Sequence, residues 1–300
     1  MKIGFVGAGR AGCSLGKYFT TKAVQADVTV TGYNSIVEEE ARWAAKFTGS
    51  SVFERIEDVI AASDAIILST PDGAIKKVWD TVDKKNLTGK MICHLSGSLS
   101  SDVFSGIDTY GGYAISIHPM FAFSNKDSVY QQLDSVSFTL EGHPYAVNAW
   151  QQLLDALGNR SVVIDQAKKP KYHAAASILS NQVIAVLATG YELLEECGFS
   201  EKEARTFSAA LVRDNVEHVI ADGCVSALTG PIERGDVGTV QKHLQELNDT
   251  QKEMYRVCGS KLLELAECKN PQTDYAVLES VLKEVQKDSL TMTVNGMKRR

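Results

Sequence analysis

The sequence lacks the cysteine patterns that mark disulfide-rich proteins and zinc sites. Its six cysteines stand apart at positions 13, 93, 197, 224, 258 and 268, and no two of them form a C-x-x-C pair. A chain of 300 residues buries enough surface to fold without cross-links, and its histidines and cysteines do not approach the spacing of zinc ligands. These absences argue against a disulfide scaffold and predict reduced thiols, a cytoplasmic location and no metal site.

Runs of lysine or arginine are also missing, apart from a short Lys-Arg-Arg sequence at the C-terminus. The formal net charge is -6, which disfavours nucleic acid or an anionic membrane as the main partner. The N-terminus shows no charged and apolar leader, and we find no run of about 18 apolar residues of the kind that spans a bilayer. The sequence therefore predicts a soluble, unexported protein with a small molecule as its partner.

A glycine-rich turn at the N-terminus is the most informative feature that is present. The apolar run Lys2–Val6 leads into the pattern G-x-G-x-x-G. In this pattern the first glycine allows a tight turn, the second lets the backbone approach a pyrophosphate, and the third lets the next helix pack closely. The start of that helix would face the phosphates. We therefore predict a dinucleotide site formed by Gly7, Ala8, Gly9, Arg10, Ala11 and Gly12.

Apolar strands alternate with helices through the first half of the chain, as in a parallel sheet. Further strands are predicted at 27–31, 51–53, 65–70, 91–95, 113–117, 136–140 and 161–164. The second half shows helical periodicity without a convincing strand, at 172–196, 201–222, 236–266 and 274–286. The fold class is therefore α/β, with a Rossmann doubly wound parallel sheet in residues 1–167 and an all-helical domain in residues 168–300. Residues 291–300 lack periodicity, and we expect them to be disordered.

The end of the second strand indicates which dinucleotide is bound. An Asp or Glu there would hold the ribose 2'-hydroxyl of NAD and repel the 2'-phosphate of NADP. This chain has Asn34 and Ser35 instead, with Arg10 in the glycine turn. We therefore expect NADP, with NAD less favoured. The alternative is that Asn34 and Ser35 form an ordinary turn.

Polar residues at the carboxyl ends of the strands are the candidates for chemistry, because ligands of open α/β sheets bind there. Thr70 and Pro71 follow one strand and are expected to border the nicotinamide, and Ser96 follows the next. His118 ends a third strand. Hydride transfer to a carbonyl or imine requires a group that stabilises the developing charge, and histidine serves this purpose. For His118 the alternative is a cap or turn role beside its proline.

The first helix of the second half carries a polar stripe. His173, Ser177, Ser180 and Asn181 fall near one helix face, which suits the wall of a cleft. The alternative is a helix–helix contact in which these groups bond to one another. We take His118 and His173 as the candidates for proton donor or substrate clamp, with Ser96 and Asn181 orienting the reacting group.

These motifs resemble the superfamily of 6-phosphogluconate-dehydrogenase-like oxidoreductases, in which a Rossmann domain precedes a helical, often dimerising domain. The resemblance covers nearly the whole chain and is greatest for Rossmann-like oxidoreductases whose helical domain is a domain of unknown function. It is carried by the motifs His118-Pro119, His173-Ala-Ala-Ala, Ser180-Asn181 and Thr229-Gly-Pro-Ile-x-Arg-Gly-Asp236. The resemblance implies binding of NAD(P), but it implies no particular substrate.

The related β-hydroxyacid dehydrogenases place a catalytic lysine four residues before an asparagine that resembles Asn181. Here that position is Ser177, so their mechanism does not carry over. We expect an NADP-preferring oxidoreductase that moves hydride between the nicotinamide and a carbonyl, imine or hydroxy carbon of a small, carboxylated metabolite. The alternatives are a prephenate or arogenate dehydrogenase, whose motif resembles His118 to Phe121, and a non-catalytic NADP-binding sensor. Long apolar helices beyond residue 172 predict a homodimer.

Overall fold

The computed structural model describes residues 1–283 and shows two compact units. The first unit is Met1–Gln182, and the second is Val183–Arg300, described as far as Lys283. The first unit holds a sheet of eight strands, and the described part of the second unit is helical. The units divide within the helical stretch that begins at Lys169, because its first turns pack on the sheet of the first unit.

The sheet has the strand order β3-β2-β1-β4-β5-β6-β7-β8. Its strands are β1 (Lys2–Val6), β2 (Thr29–Asn34), β3 (Ser51–Val52), β4 (Ala65–Leu68), β5 (Met91–His94), β6 (Tyr113–Pro119), β7 (Phe138–Gly142) and β8 (Ser161–Val163). Every neighbouring pair is parallel except β6 and β7. The expectation of a doubly wound α/β sheet is confirmed, with one antiparallel pair that the strand pattern did not reveal.

Helices cover both faces of this sheet. They are α1 (Arg10–Thr21), α2 (Ala23–Ala26), α3 (Glu38–Thr48), α4 (Ile56–Ala62), α5 (Asp72–Thr81), α6 (Pro144–Leu157) and α7 (Lys169–Ser177). One core contains Phe5, Phe19 and Trp150, and the other contains Val59 and Trp79. Strands buried on both faces read as continuous apolar runs, which is why they could be found in the sequence.

A π-helical turn, Ile178–Gln182, follows α7. The helices after it are α8 (Val183–Glu196), α9 (Glu201–Asp222), α10 (Cys224–Ala227), α11 (Val237–Glu246), α12 (Asp249–Lys269) and α13 (Ala276–Lys283).

One predicted helix of the second unit was wrong in its extent. The stretch 236–266 forms two helices, because Asn248 accepts a hydrogen bond from the Gln251 backbone N–H while the Gln251 side chain accepts one from the Asn248 N–H. This capping box starts a new helix. The predicted helix 274–286 extends past the described residues, and the expected disorder of 291–300 lies outside them.

The helical segment Gln166–Glu196 is long and apolar enough to cross a membrane, by length and composition alone. The segment is interrupted by polar residues such as Ser180 and Asn181, so it is not an unbroken run of about 18 apolar residues. Within the isolated chain none of its most apolar window is buried. The apolar side of this helical segment is therefore exposed in the described chain.

Candidate functional site

The glycine turn lies between β1 and α1 and touches the end of β4. Gly7 has a φ of +102°, which side chains other than glycine rarely adopt. A Cβ on Gly12 would overlap the Ser69 hydroxyl and lie 2.9 Å from the Ser69 Cβ. A Cβ on Gly9 would meet nothing within 4 Å. Gly7 therefore allows the turn, Gly9 leaves open space above the start of the helix, and Gly12 allows the helix to pack closely against the end of β4.

The open space fits a pyrophosphate group. Gly9 is the N-cap of α1, and no side chain caps the first turn of this helix, so its amide N–H groups are free to receive an anion. Nearby, the Thr70 hydroxyl is buried and has no hydrogen-bond partner among the described residues. A buried hydroxyl of this kind calls for a partner. The backbone cradle and the orphaned hydroxyl together suit a bound dinucleotide.

At the end of β2, Asn34 bonds to the segment after β3 and Ser35 bonds within its own turn. The Asn34 side-chain amide donates to the carbonyl oxygens of Phe53 and Glu54, each at 3.0 Å. The Ser35 hydroxyl accepts from the Val37 N–H at 3.2 Å. Both residues thus shape the turn that borders a cavity of about 330 Å³. Glu38 lines this cavity as well, and the exposed Arg42 pairs with it.

The end of β5 is held by a network around Ser96. The Ser96 hydroxyl donates to Asp72 Oδ2 at 2.6 Å and accepts from the Leu99 N–H at 3.0 Å. The Ser98 hydroxyl also donates to Asp72 Oδ2, at 3.0 Å. Asp72 is the first residue of α5, so this network ties the ends of β4 and β5 together. The Ser96 side chain is thus buried, with its hydroxyl engaged in this network.

His94 belongs to the same network. Its Nδ1 accepts from the Ser96 N–H and its Nε2 lies 3.2 Å from the Ser100 carbonyl oxygen, so Nε2 carries the proton. The pKa of His94 is lowered to about 4, chiefly by burial and secondly by the positive charge of Lys169. His94 is therefore a neutral residue that shapes the turn after β5.

His118 and His173 converge over Gly97. A Cβ on Gly97 would lie 2.8 Å from His118 Nε2 and 2.6 Å from His173 Nδ1, and the two rings are nearly perpendicular with centroids 6.3 Å apart. On its other side, His118 Nδ1 lies 2.6 Å from the Tyr172 hydroxyl. Burial, followed by the charges of Lys169 and His173, lowers the pKa of His118 to about 4.

A cavity of about 390 Å³ opens beside these rings and includes the predicted polar stripe. It is lined by His118, His173, Ser177, Ser180 and Asn181, among others. The Ser180 hydroxyl donates to the Ala176 carbonyl oxygen at 2.8 Å and lies 3.1 Å from Asn181 Oδ1. The π-helical turn carries Ser180 and Asn181, and such turns are frequent at functional sites. The structure thus brings the stripe and His118 together.

Sequence reasoning missed Lys169 and Tyr172. The Lys169 side chain is buried, whereas Lys168 and Lys171 are exposed. No spacing in the sequence distinguishes the buried lysine from its neighbours. Asp72, by contrast, follows a strand together with Thr70 and Pro71, a place where polar groups are expected to line the ligand cleft, and the structure bonds it to Ser96.

The motif 229–236 can be followed within the second unit. Asp236 caps α11, accepting from the Thr239 N–H at 3.0 Å and from the Thr239 hydroxyl at 2.7 Å. The Tyr275 hydroxyl donates to the Glu233 carbonyl oxygen at 2.5 Å. These bonds hold the loop in one shape. In the described residues no group of three or more His, Cys, Asp and Glu side chains has an arrangement suited to a metal ion.

Two family models match the chain. Residues 1–119 match a Rossmann-like domain, and residues 136–262 match a Domain of unknown function (DUF2520). No curated protein matches the sequence.

Solved structures share the fold at low sequence identity. A protein from Thermotoga maritima has 24% identity and a TM-score of 0.70, covering 89% of this chain and 99% of its own. The imine reductase from Pseudomonas sp. has 19% identity and a TM-score of 0.59, covering 94% and 91%. The pyrroline carboxylate reductase from Plasmodium falciparum with NADP bound has 13% identity and a TM-score of 0.57, covering 92% and 98%. The chain thus combines a Rossmann-like domain with a helical region of unknown function, in a fold that it shares with NADP-dependent reductases.

Proposed function

We propose that the protein is a soluble, cytoplasmic, NADP-preferring oxidoreductase that transfers hydride between the nicotinamide and a carbonyl, imine or hydroxy carbon of a small metabolite. The observation that carries the proposal is the convergence of His118 and His173 over Gly97, at the same sheet edge as the glycine turn. The similar folds of an imine reductase and an NADP-bound pyrroline carboxylate reductase support it.

The dinucleotide would lie across the carboxyl ends of β1, β2 and β4. Gly7, Ala8, Gly9, Arg10, Ala11 and Gly12 would hold the pyrophosphate, Asn34 and Ser35 would border the adenosine ribose, and Thr70 and Pro71 would border the nicotinamide. The absence of an acidic residue at Asn34 favours NADP over NAD. When bound, the nicotinamide supplies or accepts the hydride.

His118 is suited to stabilise negative charge on the substrate without carrying a charge itself. Because its pKa is lowered to about 4, the ring is neutral near pH 7. If the Tyr172 hydroxyl donates to Nδ1, the proton sits on Nε2, the atom that faces Gly97. That N–H then donates a hydrogen bond to the carbonyl oxygen or imine nitrogen as its charge develops. His173 faces the same point and would hold or protonate the reacting group, while Asn181 would orient it.

The test is NADPH oxidation with a panel of ketones, keto acids, cyclic imines and imino acids. Turnover of one class should fall about 100-fold or more in His118→Leu, which removes the ring N–H donor, while NADPH affinity stays within about threefold of wild type. A substrate that His118→Leu turns over at the wild-type rate would contradict the proposed role. A carboxylate requirement is read from matched pairs of acids and their esters.

Two alternatives have their own outcomes in this experiment. The sequence from His118 to Phe121 favours a prephenate or arogenate dehydrogenase, which would reduce NADP when given either compound. The serine at position 177, where hydroxyacid dehydrogenases have lysine, favours a non-catalytic sensor. Tight NADPH binding without turnover of any panel member would support the sensor.

We further propose a homodimer held by the helical unit. Helix α9 buries Ala204 alone in the described chain, while Phe207 and Leu211 on one side and Val216 and Ile220 on the other are exposed. Large apolar surfaces of this kind mark an interface. Light scattering at micromolar concentration should give twice the 32.6 kDa chain mass. A monomer at that concentration would contradict the proposal.

A further inference from the structure

The side chain of Lys169 is buried beneath the two histidines. It is 1% exposed, and its ammonium donates to the Ser96 carbonyl oxygen at 2.9 Å and to the Ser116 hydroxyl at 2.5 Å. The Ser116 hydroxyl also lies 3.3 Å from the Ser96 carbonyl oxygen. A buried ammonium is unfavourable unless its N–H groups are bonded and opposite charges lie near. Three structural elements thus meet at one cation.

The bonding partners of Lys169 lead directly to the site. The Ser96 carbonyl belongs to the peptide that enters Gly97, over which both imidazoles lie. Ser116 precedes His118 by two residues on β6, so their side chains share a face of the sheet. Lys169 itself precedes His173 by four residues on α7, one helical turn. One ammonium therefore links the backbone turn, the strand and the helix that carry the converging groups.

Charged groups from several elements face this ammonium. Glu141 on β7 and Asp72 on α5 are the negative charges that favour its protonated form. His94 on β5 and His118 on β6 lie close enough for its charge to act on them. Burial outweighs the two carboxylates and lowers the pKa of Lys169 to about 8, so it remains mostly protonated at pH 7.

We propose that Lys169 is the positioning residue of this site: its ammonium clamps the Ser96–Gly97 turn to β6 and α7, and its charge disfavours a second positive charge on His118. This charge adds to burial, which is the larger cause of the lowered pKa of His118, in keeping the substrate-bonding group a neutral N–H donor. This proposal rests on the proposed function, because that function gives His118 its role as hydrogen-bond donor to the substrate. The effect of Lys169 on His118 can nevertheless be measured in the protein without cofactor or substrate.

The test is a histidine titration by NMR on the full-length protein labelled with ¹⁵N-histidine, with the His118 signals assigned by their absence in His118→Gln. In Lys169→Met the pKa of His118 should rise by about 1 unit, because one nearby like charge is gone. Lys169→Arg restores a charge and should keep the wild-type value within about 0.3 units. Ser116→Ala keeps the lysine charge and should also leave the pKa of His118 unchanged. A His118 pKa that is unaltered in a folded Lys169→Met protein would overturn the proposal.

The wild-type protein decides the matter if Lys169→Met does not fold. Deprotonation of Lys169 near pH 8 should shift the neutral His118 signals a second time. A His118 titration with a single step would overturn the proposal. NADPH titration of the same samples tests the proposed function separately. A protein that fails to bind NADPH would contradict the proposed function, and its His118 titration would still test the role of Lys169.

Discussion

Replacing Gly12 by alanine adds one methyl group between α1 and the end of β4. That methyl would overlap the Ser69 hydroxyl and lie 2.9 Å from the Ser69 Cβ and 3.2 Å from the Gly7 carbonyl oxygen. Ser69 would have to move, and its 2.9 Å bond to the Gly7 carbonyl oxygen would be lost. Overpacking costs about 1–3 kcal/mol and the bond about 0.5–1.5 kcal/mol, while alanine in a helix returns about 0.5–1 kcal/mol. We therefore expect a net loss of about 2 kcal/mol in the free energy of unfolding.

Gly9→Ala is the matched control, since its methyl meets nothing within 4 Å and its backbone, at φ -73° and ψ -174°, is open to any residue. Its stability should change by less than about 0.5 kcal/mol, yet both variants should bind NADPH more weakly. Urea unfolding followed by tryptophan fluorescence reports the first unit selectively, because all three tryptophans, Trp43, Trp79 and Trp150, lie in it.

Ser69→Ala sharpens the test. It removes the overlapping hydroxyl, so the double variant with Gly12→Ala should be more stable than the two single losses predict, by about 1 kcal/mol. Equal urea midpoints for wild type and Gly12→Ala, or equal losses in Gly9→Ala and Gly12→Ala, would refute the assignment of different roles to the two glycines.

Three further predictions concern the histidines. Gly97→Ala should push the two imidazoles apart and lower turnover about 10- to 100-fold, with NADPH affinity retained. The control is Gly73→Ala, whose methyl meets open space and which should keep the wild-type turnover. Equal turnover in the two variants would contradict the geometry. Tyr172→Phe removes the hydroxyl beside His118 Nδ1 and should lower turnover about tenfold, measured against NADPH affinity as the control. His94 and His118 have folded pKa values near 4 against an ordinary 6.5, so the unfolded chain binds more protons between these values. Their stabilisation is complete above pH 6.5 and is lost as pH falls towards 4. The free energy of unfolding from urea titrations should therefore fall less steeply in His118→Gln, by about 1.4 kcal/mol per pH unit.

The sequence was sufficient for the sheet because β1, β4 and β5 are buried on both faces and bounded by turn residues. It was also sufficient for the glycine turn, whose spacing depends on backbone geometry alone. It could not reveal the antiparallel pairing of β6 and β7, which depends on hydrogen bonds between distant segments. The break at Asn248 was missed because the apolar period continues across it.

Parts of the candidate site were within reach of the sequence. His118 and His173 were singled out by their places at a strand end and a helix start, and the structure brings them together. The burial of Lys169 could not be read in this way, because Lys168 and Lys171 are of the same type and adjacent. Asn34 and Ser35 are predicted to border the adenosine ribose, whereas in the structure Asn34 bonds to the carbonyl oxygens of Phe53 and Glu54 and Ser35 to the Val37 N–H. Their contact with a cofactor stays a prediction.

The central claim is that the glycine turn binds a nicotinamide dinucleotide, and titration of nicotinamide fluorescence with NADPH and NADH tests it most directly. The wild-type protein should bind both and NADPH more tightly, and Gly9→Asp, which places a carboxylate in the open space above α1, should abolish binding. The control is Gly49→Asp at the C-terminal end of α3, where a side chain also meets open space. The backbone there is left-handed, with a φ of +69°, which Asp tolerates better than most residues. Gly49 precedes β3 and so lies at the opposite edge of the sheet. The Gly49→Asp protein should bind NADPH as the wild type does. Failure of the wild-type protein to bind either cofactor would contradict the account.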